Sequence, residues 1–270
     1  MAVHMTPMHH DLLGLAADIR LNHSGLPPAC YMHCDYMLGK MPAVIFCKTD
    51  FLGRLFYFMR KLDVQHPVVL VTGNSDFHIN SADRPACVKK WYAENLHVED
   101  PDVYPLPLGL ERPGVGRSYR PDLWVPESGI RFDRAIVCHG DGTHEIRPKV
   151  REAYSDKPWV KVFPTDTPIE TYAEALKTHK YIFCPPGNGA DTHRVWEALH
   201  CGCIPIMQAS IMSKYWVKEL GLPIFLTDDL LSVTKEQLDF ADIRYRGPYA
   251  PLFAEYWIDL FKKELEWLTP

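Results

Sequence analysis

Short apolar runs separated by amphipathic stretches recur along this chain, and their order reads as alternating strands and helices. Residues 43–47 (AVIFC) and 67–71 (PVVLV) have the length and bulk of strands buried on both faces. Between them, residues 51–62 repeat apolar positions at helical spacing. Residues 86–95 read as a further helix and 104–109 as a strand leading out. A Pro-, Gly- and Arg-rich stretch at 111–126 follows and is the expected hinge.

A second alternating series begins with the strand-like run 135–138, then a helix at 145–155, a strand at 160–163 and a helix at 171–178. The strand at 181–184, a breaker cluster, a helix ended by Gly202, and strands at 204–207 and 223–226 continue it. Residues 249–268 form a long amphipathic stretch. This alternation implies an α/β chain. The expected organisation is one domain at 1–120, a second at 121–249, and a helix at 250–270 that returns to the first.

The segment 181–207, YIFCPPGNGADTHRVWEALHCGCIPIM, carries the most chemistry. Pro185 to Gly189, with Gly187, Asn188 and Gly189, is a breaker cluster that can carry backbone geometries that side-chained residues avoid. Asp191 or Thr192 can cap the helix that starts there. Val195, Ala198, Leu199 and Gly202 form its packed face, while His193, Arg194 and Glu197 share the other face near its start. Helix N–H groups beside an Arg and a His suit a diphosphate, and a nearby Glu suits a ribose. The spacing matches neither GxGxxG nor a P-loop, so the residues alone name an anion site and no ligand. The plain alternative is a turn followed by a solvated helix face.

This segment resembles the signature of the exostosin-like glycosyltransferase family: a strand, a Gly-Asn-Gly turn, Asp-x-His-Arg-x-Trp-Glu-Ala-Leu and a Gly-x-Ile-Pro-Ile strand. Residues 69–76 (VLVTGNSD), 90–95 (KWYAEN) and 104–111 (YPLPLGLE) also fit its short, membrane-free members, as encoded by bacteria and large DNA viruses of algae. Pro186 stands where many relatives carry Arg, which leaves more of the phosphate contact to Arg194 and Arg147. The resemblance implies a GT-B architecture of two Rossmann-like α/β domains facing across a cleft, with the nucleotide sugar on the C-terminal domain and the acceptor on the N-terminal one. It further implies inversion at the anomeric carbon without an obligatory metal or cofactor. The co-substrate is then a UDP-sugar (UDP-xylose is one candidate), and the acceptor a hydroxyl of an oligosaccharide or other glycan.

Under that implication individual residues acquire roles. Asp76 lies just past an apolar strand, where ligands gather in open α/β sheets, and is the expected base for the acceptor hydroxyl. His78 and then Asp50 are its substitutes; an Asx-turn is the structural alternative for Asp76. Arg147 follows a Gly-rich turn and would neutralise the leaving diphosphate with Arg194; otherwise it is a surface Arg paired with Glu145 or Asp141. Glu197 would bind ribose, Gly187, Asn188, Gly189, Thr192 and His193 would line the donor site, and Asp191 is a cap first and a sugar contact second. Trp196 is expected to pack. Tyr31, Tyr36, Phe51 and Phe77 could stack on sugar faces.

Composition narrows the alternatives. A formal net charge of −5 argues against a nucleic-acid binder, and no apolar run approaches the ~18 residues of a membrane span. The first residues lack a basic stretch followed by a long apolar one, so the expected setting is soluble and cytoplasmic. Eight cysteines without paired CxxC spacing, several inside apolar runs, read as buried thiols. Cys30, His33 and Cys34 are half a zinc site without a second pair, and His9-His10 alone makes none. Asp100-Pro101-Asp102 mimics a metal-binding DxD but reads as an acidic turn. Two rival functions are a catalytically silent GT-B shell that binds nucleotide or glycan as a recognition or partner subunit, and a nucleotide-dependent oxidoreductase, which the missing GxGxxG disfavours.

Overall fold

The apolar runs at 43–47 and 67–71 become neighbouring parallel strands, β2 (Ala43–Lys48) and β3 (Val68–Gly73), paired from Ala43↔Val68 to Lys48↔Gly73. The computed structural model describes residues 6–8, 12–13, 17–21, 42–111, 120–127 and 129–269. Cys30, Tyr31, His33, Cys34, Tyr36 and His9-His10 lie outside them. With β1 (Ile19–Leu21), β4 (Val88–Ala93) and β5 (Val103–Pro105), these strands form an all-parallel sheet in the order β1-β2-β3-β4-β5. Helix α1 (Leu52–Lys61) joins β2 to β3 and buries Leu55, Phe56 and Met59.

Residues 86–95 correct the helical expectation: their centre is strand β4. Trp91, Tyr92 and Ala93 are all buried, and the strand is fixed by its neighbours. The Trp91 indole donates to Thr72 Oγ1 of β3 at 2.8 Å, and Tyr92 stacks on Tyr104 of β5 at 5.1 Å. Cross-strand partners outweigh the local periodicity.

The second sheet is also all parallel and comprises β6 (Phe132–Val137), β7 (Val160–Val162), β8 (His179–Phe183), β9 (Ile204–Gln208) and β10 (Phe225–Thr227). Its order is β10-β9-β8-β6-β7. Helices α2 (Ile146–Tyr154), α3 (Ile169–Thr178), α4 (His193–Cys201), α5 (Ile211–Lys218) and α6 (Lys235–Ala241) accompany it. Tyr154, Tyr181, Phe183, Ile206 and Leu238 lie in its core. Helices α5 and α6, absent from the sequence reading, start with Ser210/Ser213 and Thr234/Gln237 capping boxes.

Helix α4 stops at Gly202, whose φ of +77° is a left-handed conformation suited to glycine. Beside it the Arg131 guanidinium donates to Leu176 O at 2.6 Å, His179 O at 3.0 Å and Cys201 O. One cation thereby satisfies carbonyls at the ends of both α3 and α4.

The chain divides into two units, Met1–Leu108 with Phe253–Pro270, and Gly109–Leu252. The division falls at Leu108/Gly109 rather than after residue 120. Within the expected hinge, residues 112–119 lie outside the described ones, and Trp124 is no linker residue: it is buried, with its ring edge-on to Tyr172 at 5.8 Å. Helix α7 (Ala254–Leu268) packs on β2 and β3 in the first unit and buries Trp257 and Phe261 against Tyr92. Among the described residues, no helix is long and apolar enough to cross a membrane.

The two sheets differ where it matters for a site. Strand order in the first is sequential, whereas in the second it reverses between β6 and β8. The chain leaves β6 toward β7 on one side and returns to β8 on the other. The loops that follow β6 and β8 therefore diverge and leave a crevice at the carboxyl ends of the strands.

Candidate functional site

Arg147, in the first turn of α2, spans that crevice. Its Nε donates to Pro186 O after β8 at 2.8 Å and its Nη1 to Gly140 O after β6 at 3.1 Å. The side chain is not a surface Arg paired with Glu145 or Asp141: Arg147 is 5% exposed, Glu145 faces Lys149 and Asp141 faces Arg151. Desolvation, with the nearby Arg194 charge, lowers its pKa to about 10. Arg194, the second residue of α4, donates from Nε to Cys138 O at 2.8 Å and lies over the Tyr172 ring at 5.9 Å. A third guanidinium, Arg151, one turn beyond Arg147 on α2, bonds Asp141 at 3.2 Å and the carbonyls of His139 and Phe163. Three guanidiniums thus gather around two strand ends, with the carboxylates of Asp141, Glu197 and Asp191 in the same neighbourhood.

Gly187 is the point of closest approach. A Cβ there would lie 2.9 Å from Arg147 Nη2 and 3.6 Å from both Thr143 Oγ1 and Thr192 Cγ2. Its N–H closes a small turn onto Gly189 O at 3.0 Å, and Asn188 stands exposed at the tip. Thr192 occupies the N-cap position of α4 without capping it, and its buried Oγ1 makes no hydrogen bond. Asp191 stands one residue before that position. Its carboxylate accepts the Trp196 indole N–H at 2.9–3.0 Å, because a buried indole needs an acceptor. Trp196 itself packs edge-on against Trp216 at 5.0 Å.

The polar face of α4 is more buried than its pattern suggests. Glu197 is 4% exposed and accepts from Tyr172 Oη at 3.0 Å. Burial raises its pKa, against the lowering effect of Arg194 and His193. His193 Nδ1 lies 2.8 Å from Gly109 O, and its Nε2 lies 3.6 Å from Glu111 Oε2. His139, just after β6, is buried, and neither ring nitrogen makes a hydrogen bond; Asp141 Oδ1 is 3.3 Å from Nδ1 but misaligned. Desolvation, then Arg194, Arg147 and Arg151, push its pKa down to about 4, so the ring is neutral at pH 7.

The structure thus brings Arg147, Gly187, Thr192, His193, Arg194 and Glu197 together around one crevice, with Asp191 beneath the helix. The sequence reading missed Thr143, His139, Arg151, Tyr172 and the role of Glu111. Arg151 alone carried a readable signal, four residues from Arg147 on the same helical face.

Asp50, Asp76 and His78 belong to the first unit. Asp50 follows β2 and pairs with Lys48 at 2.9 Å. Burial raises its pKa, but hydrogen bonds from Ser75 and Lys48 outweigh this and hold it below the usual carboxylate range. Asp76 and His78, both exposed, follow β3, and His78 stacks on His97 at 4.3 Å. Phe77 between them is 62% exposed. Asp100 pairs with Arg84 at 3.1 Å, and Asp102 with Lys90 at 2.9 Å, so the DxD-like turn is charge-compensated. Among the described residues, no group of three His, Cys, Asp or Glu side chains could hold a metal ion. Comparison with models of protein families and with curated protein sequences finds no match for this chain.

Proposed function

We propose that this chain is an inverting, metal-independent glycosyltransferase of GT-B architecture that moves a sugar from a UDP-sugar to a glycan hydroxyl. The observation that carries the reading is the placement of Arg147 and Arg194 on the carbonyls of two strands that flank a reversal of strand order, beside Gly187 and the first turn of α4. A leaving diphosphate gains charge in the transition state, and fixed guanidiniums stabilise it without reorganisation. The resemblance of residues 181–207 to the exostosin-like signature supports the same assignment. Glu197 holds Tyr172 beneath Arg194, and a ribose hydroxyl could share that carboxylate. Asp76, with His78 and Asp50 as substitutes, is the proposed base for the acceptor hydroxyl.

The test is UDP release from a panel of UDP-sugars with simple sugar acceptors and EDTA present. Turnover that survives EDTA and falls two to three decades in Arg194→Ala, about 2.7–4 kcal/mol of lost stabilisation, would support the transferase. Saturable UDP binding without turnover of any donor would instead identify a silent binding shell.

A further inference from the structure

The tether between His193 and the segment entering the second unit carries a mechanistic consequence. Gly109 O can only accept, so the His193 nitrogen 2.8 Å away, Nδ1, carries a proton in either charge state of the ring. Gly109 has a φ of +71°, a left-handed conformation that glycine adopts readily, so the carbonyl is set by the backbone. The exchangeable proton is therefore the one on Nε2. That nitrogen sits 3.6 Å from Glu111 Oε2, too far for a hydrogen bond. Its proton is left able to reach a third oxygen. The His193 side chain is 27% exposed and opens the first turn of α4, directly before Arg194.

We propose that His193 is the proton donor to the departing diphosphate. This rests on the transferase reading. As the bond between the anomeric carbon and the phosphate oxygen breaks, its electron pair passes to that oxygen, which takes the Nε2 proton. The acceptor hydroxyl forms the new bond to carbon and gives its own proton to a separate base, so His193 starts protonated and ends neutral. The charged and titratable groups around it are Glu111 on the incoming segment, Arg194 and Glu197 on α4, Tyr172 on α3 and, beyond Arg194, Arg147 on α2.

The experiment compares the full chain with His193→Asn, reading kcat for UDP release from pH 5.5 to 9 alongside UDP binding by calorimetry. In the wild type, kcat is expected to fall as pH rises, because the donor must carry the Nε2 proton. His193→Asn is expected to lower kcat about 100-fold and abolish that fall. Long-range nitrogen–proton NMR of the wild type should show Nδ1 protonated at pH 8. A wild type that turns over, with either a protonated Nε2 and bare Nδ1 or a pH profile unmoved by His193→Asn, would overturn the proposal alone. A wild type that binds UDP and turns over no donor would overturn the transferase reading and this proposal with it.

Discussion

Arg147→Ala removes the side chain that ties the β6 loop to the β8 loop, and the size of the loss can be worked from its contacts. Two carbonyls, Pro186 O and Gly140 O, lose charge-assisted hydrogen bonds at 2.8 and 3.1 Å. Such bonds contribute roughly 1.5–3 kcal/mol each. Against this, the substitution relieves the repulsion with Arg194 and the cost of keeping a guanidinium 5% exposed. The net destabilisation should be about 2–4 kcal/mol, with Arg147→Lys intermediate because an ammonium cannot reproduce the fork. Urea unfolding is followed by tryptophan fluorescence, to which the buried Trp196 and Trp216 of the second unit contribute. With a slope of about 2 kcal/mol/M, the midpoint should fall by roughly 1–2 M. UDP should raise the wild-type midpoint by mass action and leave that of the variant nearly unmoved. A midpoint within about 0.3 M of wild type, or equal stabilisation of both proteins by UDP, would refute the reasoning.

Two further outcomes follow from neighbouring geometry. Gly187→Ala places a Cβ 2.9 Å from Arg147 Nη2, an atom whose side chain is held by two other bonds; UDP affinity measured by calorimetry should fall about tenfold, or ~1.4 kcal/mol. His139 is held neutral in the folded chain down to about pH 4, whereas its unfolded form takes a proton near pH 6.5. Stability is therefore lost as pH falls through that window, by up to ~3 kcal/mol from this one residue, and His139→Asn should flatten that part of the urea-midpoint profile between pH 7 and 4.5.

Strand runs such as 43–47, 67–71 and 181–184 were legible because strands covered on both faces are near-continuous apolar segments, which periodicity detects without tertiary knowledge. Residues 86–95 were not, since Val88-Lys89-Lys90-Trp91 fits helical spacing as well as a strand until Thr72 and Tyr104 supply partners. At the site, the Gly-rich turn and the Arg/His/Glu face of α4 were visible as local pattern. The depth of Arg147 was not, because burial of a guanidinium depends on two backbone carbonyls distant in sequence. Arg151, His139 and Tyr172 carry no local mark of their roles; they matter because reversed strand order brings the ends of β6 and β8 side by side.

The return of α7 to the first unit has a consequence for synthesis. The second unit is one uninterrupted stretch, Gly109–Leu252, whereas the first is assembled from segments on either side of it. A ribosome delivers β2, β3 and β4 early, yet Trp257 and Phe261, which cover Tyr92, arrive only after the whole intervening unit has been made. The nascent first unit must therefore wait with apolar sheet surface uncovered while its later-made neighbour is free to fold, so translation order and the order of completion run in opposite directions.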